Sequence, residues 1–316
     1  MIKKLFSIAF CLCTSAMAFA QPSVDVEASR ALPFLEVNPD VRTAAMGEAN
    51  MGNTKGMYLY SNPSAMLYNG EEIYAGYSFA MFPKVGEGRT MMHSANAAYK
   101  FHSNHAVMIG ARYFALPDIF NYDPSGNKLD AMKAHDMSID AAYAIRFAKN
   151  FSAFIGGSFI QSKYSTSANT GGVSLGAYYN SVNNNNFNYS IGIDLKNLGA
   201  DVKYDGSNDA YKLPTSVGVG GNLACKVAED HTIGAAVSAR YFILPSEAAE
   251  FTVGVGAEYD FMNMLAVRAG YHVGDKNNYF TAGLGFRYDY VGIDAAYSIA
   301  SVKEFNLLRI GLNLYF

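Results

Sequence analysis

The chain has 316 residues with 24 basic and 27 acidic side chains, 29 Gly, 23 Tyr, 21 Phe and no Trp, and only 16% of it is charged. That charge content is well below the ~25% of ordinary soluble domains, and the mild acidity spread along the chain argues against nucleic acid as a partner. Beyond the first twenty residues no apolar run approaches the ~18 residues a membrane helix needs, so any membrane crossing has to use strands.

Residues 1–20 read as a secretory signal peptide: Lys3 and Lys4 precede an apolar stretch from Leu5 to Phe19, and Ala18-Phe19-Ala20 offers a cleavage site before Gln21. Its removal takes the formal charge from -3 to -5. Cys11 and Cys13 lie inside it, after Phe10 and Leu12, where a lipoprotein signal would have a small residue. Lipidation is therefore not expected. Cys225 alone survives cleavage, so no intramolecular disulfide can form.

Residues 21–70 do not alternate. Gly, Asn and Pro are frequent, yet Leu35, Val37, Met46, Met57 and Leu59 are too many apolar residues for a disordered leader. The segment is expected to be a compact plug, or hatch, inside a barrel. Met46-Gly47 would let the backbone turn tightly in a confined space. Asn62-Pro63 marks a turn as the chain leaves the plug for the first strand. Arg42 is a candidate to pair with a lumen carboxylate. These residues either fix the plug or touch a ligand, and both readings stand at this point.

From residue 71 to 316 the period is two. In Phe187–Lys196 the apolar set is Phe187, Tyr189, Ile191, Ile193 and Leu195, against Asn188, Ser190, Gly192, Asp194 and Lys196. Phe251–Tyr259, Leu265–His272, Phe280–Tyr288 and Val291–Ser298 repeat the pattern. A soluble sandwich would also alternate. Here, however, the second face is mostly Gly, Ala and Ser with sparse charge, which suits a crowded, partly polar lumen. The reading is all-β: a transmembrane β-barrel of about 14 antiparallel strands, beginning near residues 71, 90, 105, 134, 151, 172, 187, 214, 231, 250, 264, 279, 290 and 305. Short turns are expected at His102–Asn104, Ala148–Asn150, Asn183–Asn186 and Asp289-Tyr290. Longer connections are expected at Phe82–Arg89, Pro117–Met132, Tyr164–Gly171 and Gly199–Lys212. Short turns on one side and long loops on the other are periplasmic and extracellular in outer-membrane barrels. Tyr113, Tyr143, Tyr241, Tyr259, Tyr271, Tyr288 and Tyr297 share the apolar parity near strand ends, as an interfacial girdle would, although Tyr is also a good strand former.

The charges on the other parity are Arg112, Asp140, Arg146, Asp194, Lys196, Arg240, Glu258, Arg268, Arg287, Asp294 and Arg309. They could interlock as a salt-bridge ladder that holds the plug, or the surplus Arg could meet a carboxylate or phosphate head group. No catalytic constellation is present: no G-x-S-x-G, H-E-x-x-H or C-x-x-C, and the six His are scattered. No cofactor or metal is expected. The last strand alternates to an aromatic terminus. Arg309, Gly311, Leu314 and Phe316 fill the pattern of a polar residue, Gly, a bulky apolar residue and a terminal aromatic. This resembles the signal read by the barrel-assembly machinery of the outer membrane.

The order FLEVNPDVRTAAMGEA, then YLYSNPSAM, resembles the N-terminal region of the PorV/PorQ family of Bacteroidetes outer-membrane proteins, itself related to the FadL long-chain fatty-acid channels. The matching positions are Phe34-Leu35, Asp40, Arg42, Ala45-Met46-Gly47, Ala49 and Asn62-Pro63. Ser64 departs from the family's usual Ala. Asn197-Leu198-Gly199 and Leu213-Pro214 form a second match. The resemblance implies a FadL-like barrel with an N-terminal plug, embedded in outer-membrane lipid. It implies a non-enzymatic scaffold or cargo shuttle, with type IX secretion components or secreted cargo as partners. The alternative is a FadL-like channel for a hydrophobic small molecule, with a fatty acid or lipid as ligand. Better-studied PorV members have larger extracellular loops, so a paralogue without the full secretion role is also compatible.

Overall fold

In the computed structural model the described residues are 30–85, 88–122, 125, 128–181, 186–275, 277–302 and 306–316. The expected signal peptide, residues 21–29 and most of the Asn183–Asn186 turn lie outside them.

The strands follow in chain order: β1 (Ile73–Val85), β2 (Gly88–Phe101), β3 (His105–Ala115), β4 (Ile119–Tyr122), β5 (Lys128–Met132), β6 (His135–Arg146), β7 (Phe151–Lys163) and β8 (Ser167–Asn180). They continue as β9 (Phe187–Gly199), β10 (Ser216–Ala228), β11 (His231–Phe242), β12 (Glu250–Phe261), β13 (Leu265–Gly274), β14 (Tyr279–Tyr288), β15 (Val291–Ala300) and β16 (Leu307–Tyr315). All but β4 and β5 form one closed antiparallel barrel of fourteen strands. β16 pairs with β1 from Tyr74↔Tyr315 to Met81↔Leu308, which removes the sheet edge.

The alternation explains the wall. Ile109, Tyr113, Ile155, Phe159, Val267, Leu284 and Ile293 point outward and are exposed. Their neighbours Arg112, Asp140, Ser152, Arg268 and Asp294 point inward and are buried. A soluble sandwich would invert this, burying its apolar face. An apolar exterior around a polar interior requires a lipid surround.

Strand starts fall within two residues of expectation except for β8, which begins at Ser167 rather than near 172. Two connections expected to be long are corrected by the structure. Strands β1 and β2 stay paired to Lys84↔Arg89 and Val85↔Gly88, through most of Phe82–Arg89. A bulge between Met81 and Lys84 breaks the period there. Likewise β7 and β8 pair up to Lys163↔Ser167, so the long connection Tyr164–Gly171 shrinks to residues 164–166. The outward residues of these β7 and β8 ends, Gln161, Lys163, Ser167 and Asn169, are polar, so hydropathy contrast fades where a strand leaves the lipid. The 117–132 connection carries its own two-stranded sheet, β4–β5.

Residues 30–70 lie against the inner wall. Short local elements shape them: a 3-10 turn Pro33–Leu35, a one-turn helix α1 (Val41–Ala44) and a 3-10 helix Pro63–Tyr68. Asp40 caps α1, accepting from the Arg42 amide at 3.2 Å. Asn62 caps the last element, accepting from the Ser64 amide at 3.1 Å, with Pro63 in the first helical position. Asn62-Pro63 is thus a helix start, and the chain enters β1 only at Ile73. Leu32 and Phe34 pack with Phe114, Ile160 and Leu307 towards the long-loop end. Tyr58, Met66 and Leu67 pack with Tyr74, Phe154, Tyr178 and Tyr315 towards the short-turn end. The segment therefore runs through the lumen from one end to the other.

Candidate functional site

The lumen is where the sequence-predicted residues converge. At its centre Glu258 on β12 accepts from Arg42 Nε at 2.9 Å, from the Arg42 terminal nitrogen at 2.7 Å and from Arg268 Nε at 2.6 Å. Arg268 also donates to Asp294 at 2.5 Å. Asp294 accepts from Asn313, whose carbonyl accepts from the Tyr74 hydroxyl at 2.6 Å. The same Tyr74 hydroxyl accepts from the Met57 amide. One polar chain thus ties α1, five wall strands and the 57–68 segment together. Arg42 also donates to Asn53 Oδ1 at 2.7 Å. Asn53 in turn donates to Asp40 Oδ2 and Ser61 Oγ. Burial pushes the Asp40 carboxyl up to about 7, against the pull of Arg42. Burial opposes charge on Arg42, but Glu258 and Asp40 hold its pKa above the ordinary value.

Three further clusters flank this centre. Arg112 grips Asp140 through two nitrogens, at 3.2 and 2.9 Å, and the Tyr60 hydroxyl donates to the same carboxylate at 3.1 Å. Arg240 donates to both oxygens of Asp194 at 3.0 and 3.1 Å. Lys196 lies 3.6 Å from Asp194 and donates to the Tyr60 carbonyl. Arg309 donates to Glu48 at 3.0 Å, and Glu48 also accepts from Asn38 and Tyr279. Near the short-turn end, Arg146 donates to Asn104 and to the Leu67 carbonyl, and Arg287 sits 4.0 Å over the Tyr315 ring.

Met46 and Gly47 explain why the wall is rich in glycine. Gly47 has φ +67°, a conformation L side chains rarely adopt, and a methyl there would overlap the carbonyls of Val255 and Tyr271. Opposite, Gly254, Gly256 and Gly270 leave room for the 46–47 backbone, which a side chain at any of them would strike. The Gly47 amide donates to Thr281 Oγ1 at 2.9 Å. The terminal residues behave differently. Arg309 and Gly311 face inward, Gly311 against Val41, whereas Phe316 stacks on Tyr290 at 5.6 Å on the outside. The Glu72 and Ile73 amides donate to the Phe316 carbonyl at 2.7 and 2.9 Å, closing the barrel at that end.

Sequence reasoning found the inward wall charges but missed Glu48, Asn53, Tyr60, Tyr74 and Asn313. Tyr74 and Asn313 were legible as inward-parity polar groups on β1 and β16. Glu48, Asn53 and Tyr60 lie in a segment without period, where no sequence signal says which way a side chain points. Part of the surplus of inward Arg is met from the inner segment, where Glu48 takes Arg309. Among the described residues no cluster suited to a metal ion occurs.

A family model described as type IX secretion system protein PorV matches residues 23–249. The chain belongs to the PorV family. This membership associates it with type IX secretion, and together with the barrel fold it implies an outer-membrane location. No curated protein matches the chain. Among solved structures it is similar to the toluene transporter TodX of Pseudomonas putida, with TM-score 0.58 and 12% identity over 93% of this chain and 98% of that one. The monoaromatic hydrocarbon channel CymD gives TM-score 0.61 and 10% identity over 91% and 99% of the two chains. A FadL homologue of Pseudomonas aeruginosa gives 0.51 and 12% over 87% and 98%. At such identities the likeness shows the fold alone: this PorV-family chain is a FadL-like barrel.

Proposed function

We propose that the protein is a non-enzymatic scaffold or cargo-shuttle component of type IX secretion, with residues 30–70 acting as a fixed plug. The observation that carries this reading, beside family membership, is the cross-tied lumen. Arg42, Glu48 and Tyr60 each join the inner segment to a wall residue, and Arg42–Glu258, Arg309–Glu48 and Tyr60–Asp140 bind it to opposite sides of the wall. Strand β3 is paired without interruption to β2 and to β6, so that stretch of wall offers no lateral gap. A scaffold can work with a sealed lumen and an ordered outer face, whereas a channel needs a path.

One observation favours the second reading, a channel for a hydrophobic small molecule. A cavity of about 660 Å³ opens towards the long-loop end, lined by Pro33, Val37, Phe82, Phe242 and Leu307, with His272 and Arg309 among its polar groups. That volume is in the range of small-ligand sites. Deletion of the gene decides between the two. The scaffold reading expects loss of secreted or surface-attached proteins, negligible conductance of the purified barrel in planar bilayers, and no bound lipid. Copurification of a fatty acid that Arg309→Ala releases, with secretion intact, would replace it with the channel.

A further inference from the structure

The outer wall is asymmetric at the long-loop end. On β10 to β16 the outward positions there are Val217, Tyr241, Phe251, Val273, Phe280, Ile299 and Leu308, all uncharged. On β1, β2 and β7 they are the cations Lys84, Arg89 and Lys163, with His135 on β6 between. The bulge between Met81 and Lys84 shifts β1 by one residue, so that Lys84 stands opposite Arg89 on the outward side. Both are exposed, and Arg89 reaches back over Met81, donating to its sulfur at 2.6 Å. Two strands away His135 stands opposite the exposed Lys163, and exposed Lys133 precedes β6.

Like charges directly opposite on a sheet repel each other, and Lys84 and Arg89 form such a pair, with Lys133 and Lys163 on the same sector of the wall. Among the described residues no carboxylate lies within ion-pair distance of Lys84, Arg89, Lys133 or Lys163. Just below them runs an aromatic level: the Tyr77 hydroxyl is 2.7 Å from His93 Nδ1, His93 stands opposite Tyr113, and Tyr113 packs at 5.3 Å on His135. Aromatic residues of this kind mark the lipid–water interface. Arg89 lies four residues before His93 on β2, nearer the β1–β2 connection, which at ~3.3 Å per residue and a ~40° tilt lifts it about 10 Å into the head-group layer.

We infer that this sector is a binding site for the phosphate of an outer-leaflet lipid, shared between Lys84–Arg89 and His135–Lys163. Arg and Lys so placed neutralise a phosphate, and the phosphate removes the repulsion between Lys84 and Arg89. The bulge then has a purpose: without it Lys84 would face the lumen. The site is on the lipid side of the wall and is independent of what the lumen does.

The test uses the full mature protein in phosphatidylcholine nanodiscs carrying diphosphoryl lipid A, with retained lipid counted by native mass spectrometry. Heat-modifiable migration verifies that each variant has closed its barrel. Wild type should retain lipid A and release it when the phosphates have been removed chemically. Each lost charge should weaken retention about fivefold, so Lys84→Ala with Arg89→Ala weakens it about twenty-fivefold, and Lys84→Arg keeps it. Lys149→Ala, in the exposed short turn at the opposite end of the barrel, should have no effect. Equal retention by the double variant, or equal retention of dephosphorylated lipid A, overturns the proposal. So does displacement by millimolar inorganic phosphate, which would make the ligand a free anion. Loss of a copurifying acidic membrane protein with lipid retention unchanged would assign the sector to a protein partner instead.

Discussion

Glu258 is the wall carboxylate that holds Arg42 of the inner segment through two hydrogen bonds, so Glu258→Gln is the sharpest perturbation of the arrangement. It accepts from Arg42 through two nitrogens and from Arg268 through one. Arg268 keeps Asp294 after the change. Arg42, buried, keeps only the neutral Asn53 carbonyl as a direct side-chain partner. Stranding a buried charge by removing its partner costs about 3–5 kcal/mol. A central figure of ~4 kcal/mol corresponds to roughly a thousandfold in an opening equilibrium. The cost should fall on docking of residues 41–53, because the ladder hydrogen bonds of β12 and β13 are unchanged. Hydrogen exchange by mass spectrometry reads this directly: amides of 41–53 should exchange up to a thousandfold faster, while β12 and β13 keep wild-type protection. Equal acceleration in segment and strands would mean that Glu258 serves the barrel as a whole. No acceleration anywhere would mean that Arg42 finds water or another partner, and the account of the lumen given above would fail. Arg42→Met combined with Glu258→Leu removes both charges and should recover most of the loss, since replacing a buried pair by apolar groups is often neutral.

The remaining expectations concern the same segment and the barrel seam. Burial holds the Asp40 carboxyl at about 7, above its unfolded value, so the native state binds a proton the unfolded chain has lost. Its contribution is greatest at acid pH and is lost as pH rises through 7. Protection of residues 41–53, corrected for intrinsic exchange, should fall as pH rises from about 4 to about 7 in wild type, level off above that, and stay flat in Asp40→Asn. Gly47→Val combines a positive φ with overlap onto the Val255 and Tyr271 carbonyls, so protease resistance of the segment should be lost in barrels that still migrate as folded; unchanged resistance would refute the close approach. Phe316→Asp removes the stacking on Tyr290 and sets a charge on the outward face, at a cost of up to a few kcal/mol depending on depth. Membrane levels of this variant should fall sharply, and normal levels would show that the terminal aromatic has no part in assembly.

How far the sequence alone reached follows from where the physics is local. Period-two alternation between lipid and lumen is a property of each strand by itself, so strand number, strand starts and the inward parity of Arg112, Asp140, Glu258, Arg268 and Asp294 were all legible. The pattern failed where the outward residues of a strand end turn polar, as at Gln161–Lys163 and Ser167–Thr170, whose inward Ser162, Ala168 and Thr170 stay buried, and where one extra residue at the β1 bulge inverted the parity of Lys84. Partner choice was never in the sequence. Arg42 and Glu258 are 216 residues apart, and which carboxylate an inner Arg meets depends on barrel register and on how a segment without period threads the lumen. Composition did carry one indirect trace of that threading. Glycines at 254, 256 and 270 read only as a small-residue inner wall. The folded chain adds the reason for those three: the Met46-Gly47 backbone lies against them, and a side chain there would occupy the same space.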